Sequence, residues 1–385
     1  MKKISVMEFF GEPLNYGGQE AFIINMYRNF SPNMKITFVT PFEVTNSMLV
    51  DLAEKKKDII IGDNKCFNSK LRKKFIIETA KKYISSEYDV IHIHSGSLFT
   101  LYVCSKIAKK VGIKKVIVHS HSASKRGLKN KILKFCFRNI KKNADLFFAC
   151  SKEAAEGKYS NEIINSNRFY IIKNGIELDL YKFDEKMRNE YRKKFKVEDK
   201  IVLINIGRFS YQKNQRFLID IFKEFKKINN NSHLFIVGGL GTELDNIRKK
   251  IKNEKIESNV TILVNRSDVN YLLFMSDIFV LPSLWEGLPI TGIEAQATGM
   301  PSLFSSNVTD EINVSNSFYE MSLEQSAKDW AKKINKLCSI KRQDNMDMIK
   351  SKGFDCKETA QKIEKEYFKW YDKEKKNKKF FWIYT

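Results

Sequence analysis

The stretch Ile201-Val202-Leu203-Ile204-Asn205-Ile206-Gly207-Arg208-Phe209-Ser210-Tyr211-Gln212-Lys213-Asn214 sets the fold class. A run of strand length, rich in β-branched residues, stops at a glycine and gives way to polar residues. Over 215–228 the apolar residues then recur at helical spacing. Strand, loop and helix in that order form the repeating unit of a parallel α/β sheet, in which helices cover both faces. The unit recurs downstream, with strands expected at 234–237, 260–264, 278–281 and 302–304 and a helix at 290–298. It also recurs upstream, with strands expected at 4–9, 35–40, 58–61, 90–93, 115–119, 146–149 and 170–172. Helical patterns at 20–30, 71–84 and 99–110 lie between these upstream strands. Amphipathic helices are expected at 323–337 and 357–371. The highly charged stretch 184–200 marks the expected boundary between two α/β halves. In such folds ligands bind beyond the carboxyl ends of the strands.

The chain has 385 residues, and 43% of them are hydrophobic. That is enough apolar surface for packed cores and too much for a disordered chain. No run approaches the roughly 18 apolar residues of a membrane-spanning helix. The start, Met1-Lys2-Lys3 followed by an apolar stretch, resembles a secretion signal. Glu8 interrupts it, however, and it reads as a first buried strand. The cysteines Cys66, Cys104, Cys136, Cys150, Cys338 and Cys356 are widely spaced and never form Cys-x-x-Cys. Reduced thiols are therefore expected, rather than a disulfide framework or a structural zinc site. The net charge of +23 invites anionic partners. Lysine is spread along the whole chain, with no basic-aromatic stripe and no helix-turn-helix pattern, so no nucleic-acid partner is expected. A basic run, Lys373-Glu374-Lys375-Lys376-Asn377-Lys378-Lys379, precedes Phe380-Phe381-Trp382-Ile383-Tyr384. It suits an anionic membrane surface and equally a frayed terminus.

Three loops carry candidate chemistry. In Leu281-Pro282-Ser283-Leu284-Trp285-Glu286-Gly287-Leu288-Pro289-Ile290-Thr291-Gly292-Ile293-Glu294-Ala295, a proline suited to a first helical turn follows a strand and a flexible glycine. The helix start offers N–H groups and partial positive charge to a phosphate. A carboxylate would be repelled from that phosphate, so Glu294 is expected at neutral hydroxyls such as a ribose diol, and Glu286 nearer a reacting sugar. Arg208 and Lys213, just after a strand, offer a guanidinium fork and a point charge to a diphosphate. Tyr16-Gly17-Gly18-Gln19-Glu20 places two glycines before a helix, a weak anion-binding signal. Neither a dinucleotide fingerprint nor a P-loop is present. Two His-x-His pairs, His92/His94 and His119/His121, lie at or just after strand ends. Residues i and i+2 share a face, which admits either a metal site or histidines lining a cleft. His233 reads as structural.

With these residues in place, the chain resembles the retaining, nucleotide-sugar-dependent glycosyltransferases of the GT-B fold, in particular the bacterial group that builds capsular and exopolysaccharides. Glu286 to Glu294 resembles the Glu-x7-Glu motif of that family. Gly207-Arg208 with Gln212-Lys213-Asn214 is similar to its diphosphate clamp, and Gly17-Gly18-Gln19-Glu20 to its glycine loop. Asp89-Val90-Ile91-His92-Ile93-His94, Val118-His119-Ser120-His121, Cys150-Ser151-Lys152-Glu153 and Asn174-Gly175-Ile176-Glu177 also resemble family segments. The loop Val237-Gly238-Gly239-Leu240-Gly241-Thr242-Glu243 departs from the pattern by its glycine content.

The resemblance implies two Rossmann-like domains facing across a cleft. An acceptor domain spans 1–184 and a nucleotide-sugar domain 200–356. Residues 357–385 form a helix crossing back to the first domain and a basic-aromatic tail. It implies donor contacts from Gly17, Gly18, Arg208, Lys213, Asn214, Gly287, Leu288 and Glu294. Glu286 and His121 take catalytic roles, with His119 in reserve. No metal or other cofactor is implied; the nucleotide-sugar, expected to be UDP-linked, is a substrate. The partner is a saccharide or polyprenyl-linked saccharide acceptor, and the location is the cytoplasm at the inner face of the membrane. The rival reading is a metal-dependent hydrolase built on the two His-x-His pairs.

Overall fold

In the computed structural model, residues 3–14, 18–65, 68, 70–122 and 128–381 are described, with backbone only at 18, 20, 64, 128–130 and 370–381. The chain divides into two compact units. One comprises residues 1–175 with 356–385, the other residues 176–355.

The first unit is built on a parallel sheet of β1 (Ile4–Phe10), β2 (Met34–Phe42), β3 (Ile59–Lys65), β4 (Val90–Ser95), β5 (Lys115–Ser120), β6 (Leu146–Ala149) and β7 (Phe169–Ile171). The strand order is β3-β2-β1-β4-β5-β6-β7. The side-chain period of two sorts β1 cleanly. Met7 and Phe9 enter the core under the helices Arg72–Tyr83 and Leu98–Val111. Ile4, Val6 and Phe10 enter the opposite core, shared with the helices Gly18–Asn29 and Cys356–Phe381. Glu8 belongs by register to that second face and is buried there. His92 lies opposite it on β4, and His94 lies beside His119 on β5. One sheet face therefore carries a polar row beneath the C-terminal helix, in a position where apolar residues are the rule.

The second unit repeats the scheme with β8 (Ile201–Ile206), β9 (Ser232–Gly238), β10 (Val260–Val264), β11 (Ile278–Leu281), β12 (Ser302–Ser305) and β13 (Phe318–Met321), in the order β10-β9-β8-β11-β12-β13. All its pairings are parallel. The helix Gln215–Ile228 buries Leu218, Ile219, Phe222 and Phe225 in one core with Trp330 and Ile334 of the helix Ala327–Leu337. Both strand orders reverse direction beside the first strand of the sheet. That is the doubly wound topology whose crevice takes ligands. The sequence did not signal β13, because Phe-Tyr-Glu-Met at a half-buried edge lacks an apolar run.

The charged stretch expected as the inter-domain boundary is instead part of the second unit, and the chain passes between units at Gly175/Ile176 and at Asp355/Cys356. Residues Glu185–Phe195 form a helix whose N-cap, Asp184, accepts from the Met187 N–H. Its arginines are not solvated. Arg188 and Arg192 reach Asp277 at 2.5 and 3.3 Å. Together with Arg342 they also donate to the last carbonyls of the helix Val269–Met275 and to Ser276. Cations at a helix C-terminus are favourable, and a guanidinium fork can serve two carbonyls at once. Asp277, which also accepts from the Val202 N–H at 2.8 Å, supplies the balancing charge for this arginine group. Asp277→Ala is expected to lose about 2 kcal/mol of stability in urea unfolding, because the clustered guanidinium groups lose their counter-charge. An unchanged midpoint would show that the carbonyls alone hold the arginines.

Candidate functional site

The second unit brings two loops together where the strand order reverses. Loop 207–214 leaves β8 and loop 282–289 leaves β11. The Leu284 N–H donates to the Gln212 carbonyl at 2.8 Å. The Gln212 amide donates to the Trp285 carbonyl at 2.8 Å and to Glu286 Oε2 at 3.2 Å. Asn214, in the left-handed region at φ 54°, donates to the Pro282 carbonyl at 3.0 Å. At the centre Lys213 Nζ lies 2.5 Å from Glu286 Oε1, both side chains largely buried. Ser283 Oγ donates to the same carboxylate oxygen at 3.0 Å.

Glycine is required behind this arrangement. A Cβ on Gly207 would lie 2.8 Å from the Lys213 stem, so its absence lets the lysine fold over the strand end. Gly238 and Gly241 press against the backbone carbonyls of Gly207 and Phe209, where a Cβ would sit 2.0 Å away. The glycine-rich loop after β9 therefore supports the Arg208 segment by close backbone approach. Around Gly287 an added Cβ meets no atom within 4 Å, so this loop borders open space.

The expected residues fall as follows. Lys213, Glu286 and Gly287 are brought together. Arg208 is exposed on the same strand end; its carbonyl accepts from the Gln215 amide at 3.1 Å, and its guanidinium has no hydrogen-bond or ion-pair partner among the described residues. Asn214 serves the loop backbone, so its amide is engaged structurally. Leu288 packs on the core. Pro289 is the N-cap and the helix runs Ile290–Ala297, carrying Glu294. Burial pushes the half-buried Glu294 carboxyl up to about 7, against a hydrogen bond from Tyr181 that lowers it. Gly18 opens the helix Gly18–Asn29, and Gly17 lies outside the described residues.

In the first unit the histidines gather in the core. His94 Nε2 lies 2.6 Å from Glu8 Oε2 and His94 Nδ1 lies 2.9 Å from His121 Nε2. Tyr367 bonds both Glu8 Oε1, at 2.8 Å, and His92 Nδ1, at 2.6 Å. Burial holds all four imidazoles below the ordinary histidine range. Ring nitrogens of His92, His94 and His119 lie within 4.8 Å of one another. Both nitrogens of His94 are nevertheless engaged, so the trio is not a free ligand set, and the hydrolase reading finds no support. His121 is half-buried, and its Nδ1 has no partner among the described residues. His233, bonded to Thr261 at 2.8 Å, is structural as expected.

Sequence reading missed Glu8, Tyr367 and Glu12. Glu12 pairs with Arg72 and accepts from Ser95 Oγ at 2.9 Å beyond the end of β1. A lone acid in an apolar strand was the available signal for Glu8.

The raised Glu294 carboxyl has a consequence for stability. Below its ordinary value of 4.5 the group is protonated in folded and unfolded chains alike. As pH rises from there to about 7 the unfolded chain gives up the proton first, and stability falls. Glu294→Gln is expected to match wild type in thermal stability at low pH and to exceed it at pH above 7. The gain is roughly 1 kcal/mol, since a half-buried carboxylate is partly solvated. An equal gain at every pH would rule out ionisation as the cause.

The model of the family Glycosyltransferase Family 4 matches residues 16–180, and that of Glycosyl transferases group 1 matches residues 187–353. The capsular polysaccharide biosynthesis glycosyltransferase CapH of Staphylococcus aureus is 29% identical over 289 residues, covering 68% of this chain and 79% of that one. The UDP-Gal:alpha-D-GlcNAc-diphosphoundecaprenol alpha-1,3-galactosyltransferase of Escherichia coli is 26% identical over 271 residues, covering 66% and 67%. Among solved structures, Anabaena Alr3699/HepE in complex with UDP and glucose superposes with a TM-score of 0.72 at 17% identity, covering 94% of this chain and 99% of that one. With a glycosyltransferase model on each half of the sequence, that of Glycosyl transferases group 1 on the second, and a whole-chain match of fold, the chain is a glycosyltransferase of the GT-B fold.

Proposed function

We propose that this protein is a retaining transferase that moves a hexosyl group from a UDP-sugar to a lipid-linked saccharide in surface polysaccharide synthesis. The observation that carries the reading is the Lys213–Glu286 pair at 2.5 Å, laced between two loops at the strand reversal, with the exposed Arg208 on the same strand end. The choice of donor and acceptor is supported by what the Escherichia coli relative is named for and by the UDP and glucose in the Anabaena structure.

In this reading Lys213 exchanges Glu286 for a phosphate oxygen when donor binds. Arg208 and Lys213 then stabilise the departing diphosphate, helped by the N–H groups that open the helix Ile290–Ala297. No metal ion is required where two side-chain cations face the developing charge. The released Glu286 turns to the hydroxyls of the sugar, and Glu294 to those of the ribose. His121, in the first unit, serves a hydroxyl of the sugar or acceptor. Retention follows a front-face route, in which the acceptor hydroxyl approaches beside the leaving group.

No helix among the described residues is long and apolar enough to cross a membrane. The helix Leu128–Cys136 nevertheless exposes Ile132, Leu133 and Phe135 beside Lys131 and Arg138. Such a face suits the surface of an anionic bilayer, where a lipid-linked acceptor resides. The tail expected to play this part runs as helical backbone to Phe381, and Trp382 to Thr385 lie outside the described residues.

The test is UDP release with a polyprenyl-diphosphate saccharide acceptor, followed by NMR of the product. The expected product keeps the donor's anomeric configuration, and an inverted product overturns the reading. Lys213→Ala and Arg208→Ala are each expected to lower kcat/KM by about 10²–10³. Glu286→Gln is expected to bind UDP more tightly, because Lys213 is freed, while turning over more slowly. Wild-type turnover in Lys213→Ala would remove the clamp. Separately, Phe135→Ser is expected to reduce cosedimentation with phosphatidylglycerol vesicles and to leave the protein's behaviour with phosphatidylcholine unchanged.

A further inference from the structure

Glu8, His94 and His121 form an unbroken hydrogen-bonded row from the centre of the first sheet to a half-buried ring. We infer that Glu8, acting through His94, decides which nitrogen of His121 carries its hydrogen, and so whether His121 offers a donor or an acceptor to a sugar hydroxyl. Glu8 and His94 are thereby positioning residues. The inference rests on the reading of His121 as the residue that meets the sugar or acceptor.

A neutral imidazole has one N–H and one bare nitrogen. Suppose Glu8 holds a proton on Oε2. That O–H donates to His94 Nε2, so the hydrogen of His94 is on Nδ1 and donates to His121 Nε2. His121 must then carry its own hydrogen on Nδ1, the end of the row. Now let one proton leave from His121 Nδ1. The His94 hydrogen passes to His121 Nε2, and the Glu8 proton passes to His94 Nε2. Glu8 is left ionised and His121 Nδ1 becomes a bare acceptor. The N–H at His121 Nδ1, the N–H at His94 Nδ1 and the O–H at Glu8 Oε2 break; N–H bonds form at His121 Nε2 and His94 Nε2; and the proton from His121 Nδ1 passes to water. While the Tyr367 hydroxyl donates to Glu8 Oε1, both states keep every contact in the row satisfied, so the row has two arrangements.

The surroundings favour the protonated row at neutral pH. Facing Glu8 are His92 and His94 from β4 and Tyr367 from the helix Cys356–Phe381, and facing His94 in turn are His119 of β5 and His121 of the loop after it. The helix Gly18–Asn29 adds apolar Phe22 and Met26, along with Tyr27, whose hydroxyl is engaged by Asp58 at 2.6 Å. Every imidazole in this set is held neutral by burial. The carboxyl of Glu8 is pushed up to about 8 by burial, against the Tyr367 hydrogen bond that lowers it. His121 Nδ1 is thus an N–H donor below about pH 8 and an acceptor above it.

The experiment uses the full chain labelled with 15N-histidine. Ring nitrogens are followed by NMR from about pH 6 to about pH 10, alongside the pH profile of kcat/KM for transfer. In wild type the His121 signals are expected to change from the Nδ1–H to the Nε2–H pattern near pH 8, and kcat/KM to fall tenfold per pH unit above that point. Glu8→Gln has no proton to give up, so whichever way its amide faces His94 the His121 signals keep one pattern throughout and the alkaline fall disappears. Tyr367→Phe removes a bond that favours ionised Glu8 and moves both transitions to higher pH. It also carries the test if Glu8→Gln does not fold. A His121 that titrates identically in wild type and in the available variant overturns the relay, whatever the activity. Rings that behave as expected while the activity profile ignores them leave the relay standing and remove His121 from the sugar.

Discussion

Each sheet begins at its middle. The first strand is laid down, two strands are added on one side, and the chain then crosses to the other side. Loops leaving the central pair of strands must therefore diverge, and nothing in the sheet itself fills the space between them. Everything chemical in this protein follows from that constraint. In the second unit the loops after β8 and β11 meet there and are laced together through Gln212, Asn214 and Lys213. In the first unit the same pair of positions, β1 and β4, carries Glu8, His92 and His94.

The two units handle polar groups at this position in opposite ways. The second keeps full charges at its strand ends, where a lysine and a glutamate neutralise each other. An exposed arginine waits beside them, and the supporting glycines let the backbone pack closely enough to hold the loops still. The first unit buries its polar groups beneath a helix and removes their charge. Its imidazoles are neutral because a buried cation costs more than any partner here returns, and its carboxyl is raised for the same reason. A charged site is suited to holding an anion, and a neutral hydrogen-bonded row to setting the direction of a single N–H.

How much was legible in the sequence depended on whether the signal was local. The strand Ile201–Ile206 and the helix Gln215–Ile228 were found to the residue, because apolar spacing and a terminating glycine lie within one window. The Glu286–Glu294 segment and the Arg208–Asn214 loop were legible as strand-end loops. The stretch 184–200 misled, because a run of charges looks solvated. Its arginines instead bind the carbonyl end of a helix some eighty residues downstream, which no local pattern encodes. Glu8 looked like the residue that breaks a secretion signal, and Tyr367 was one position of an expected amphipathic helix. That they touch is a consequence of a contact spanning 359 residues of chain.

The sequence alone determined the two-sheet α/β architecture, since periodicity and turn chemistry are properties of neighbours along the chain. It also determined which loops carry phosphate-binding residue types. The tertiary structure decided what those residues do to one another: that Lys213 is held by Glu286, that Asn214 serves the backbone, and that one histidine of each pair, His94 and His121, joins Glu8 in a single row. Pairing of that kind is set by strand order and by the return of the last helix to the first sheet, and side-chain protonation then follows from the burial those contacts create.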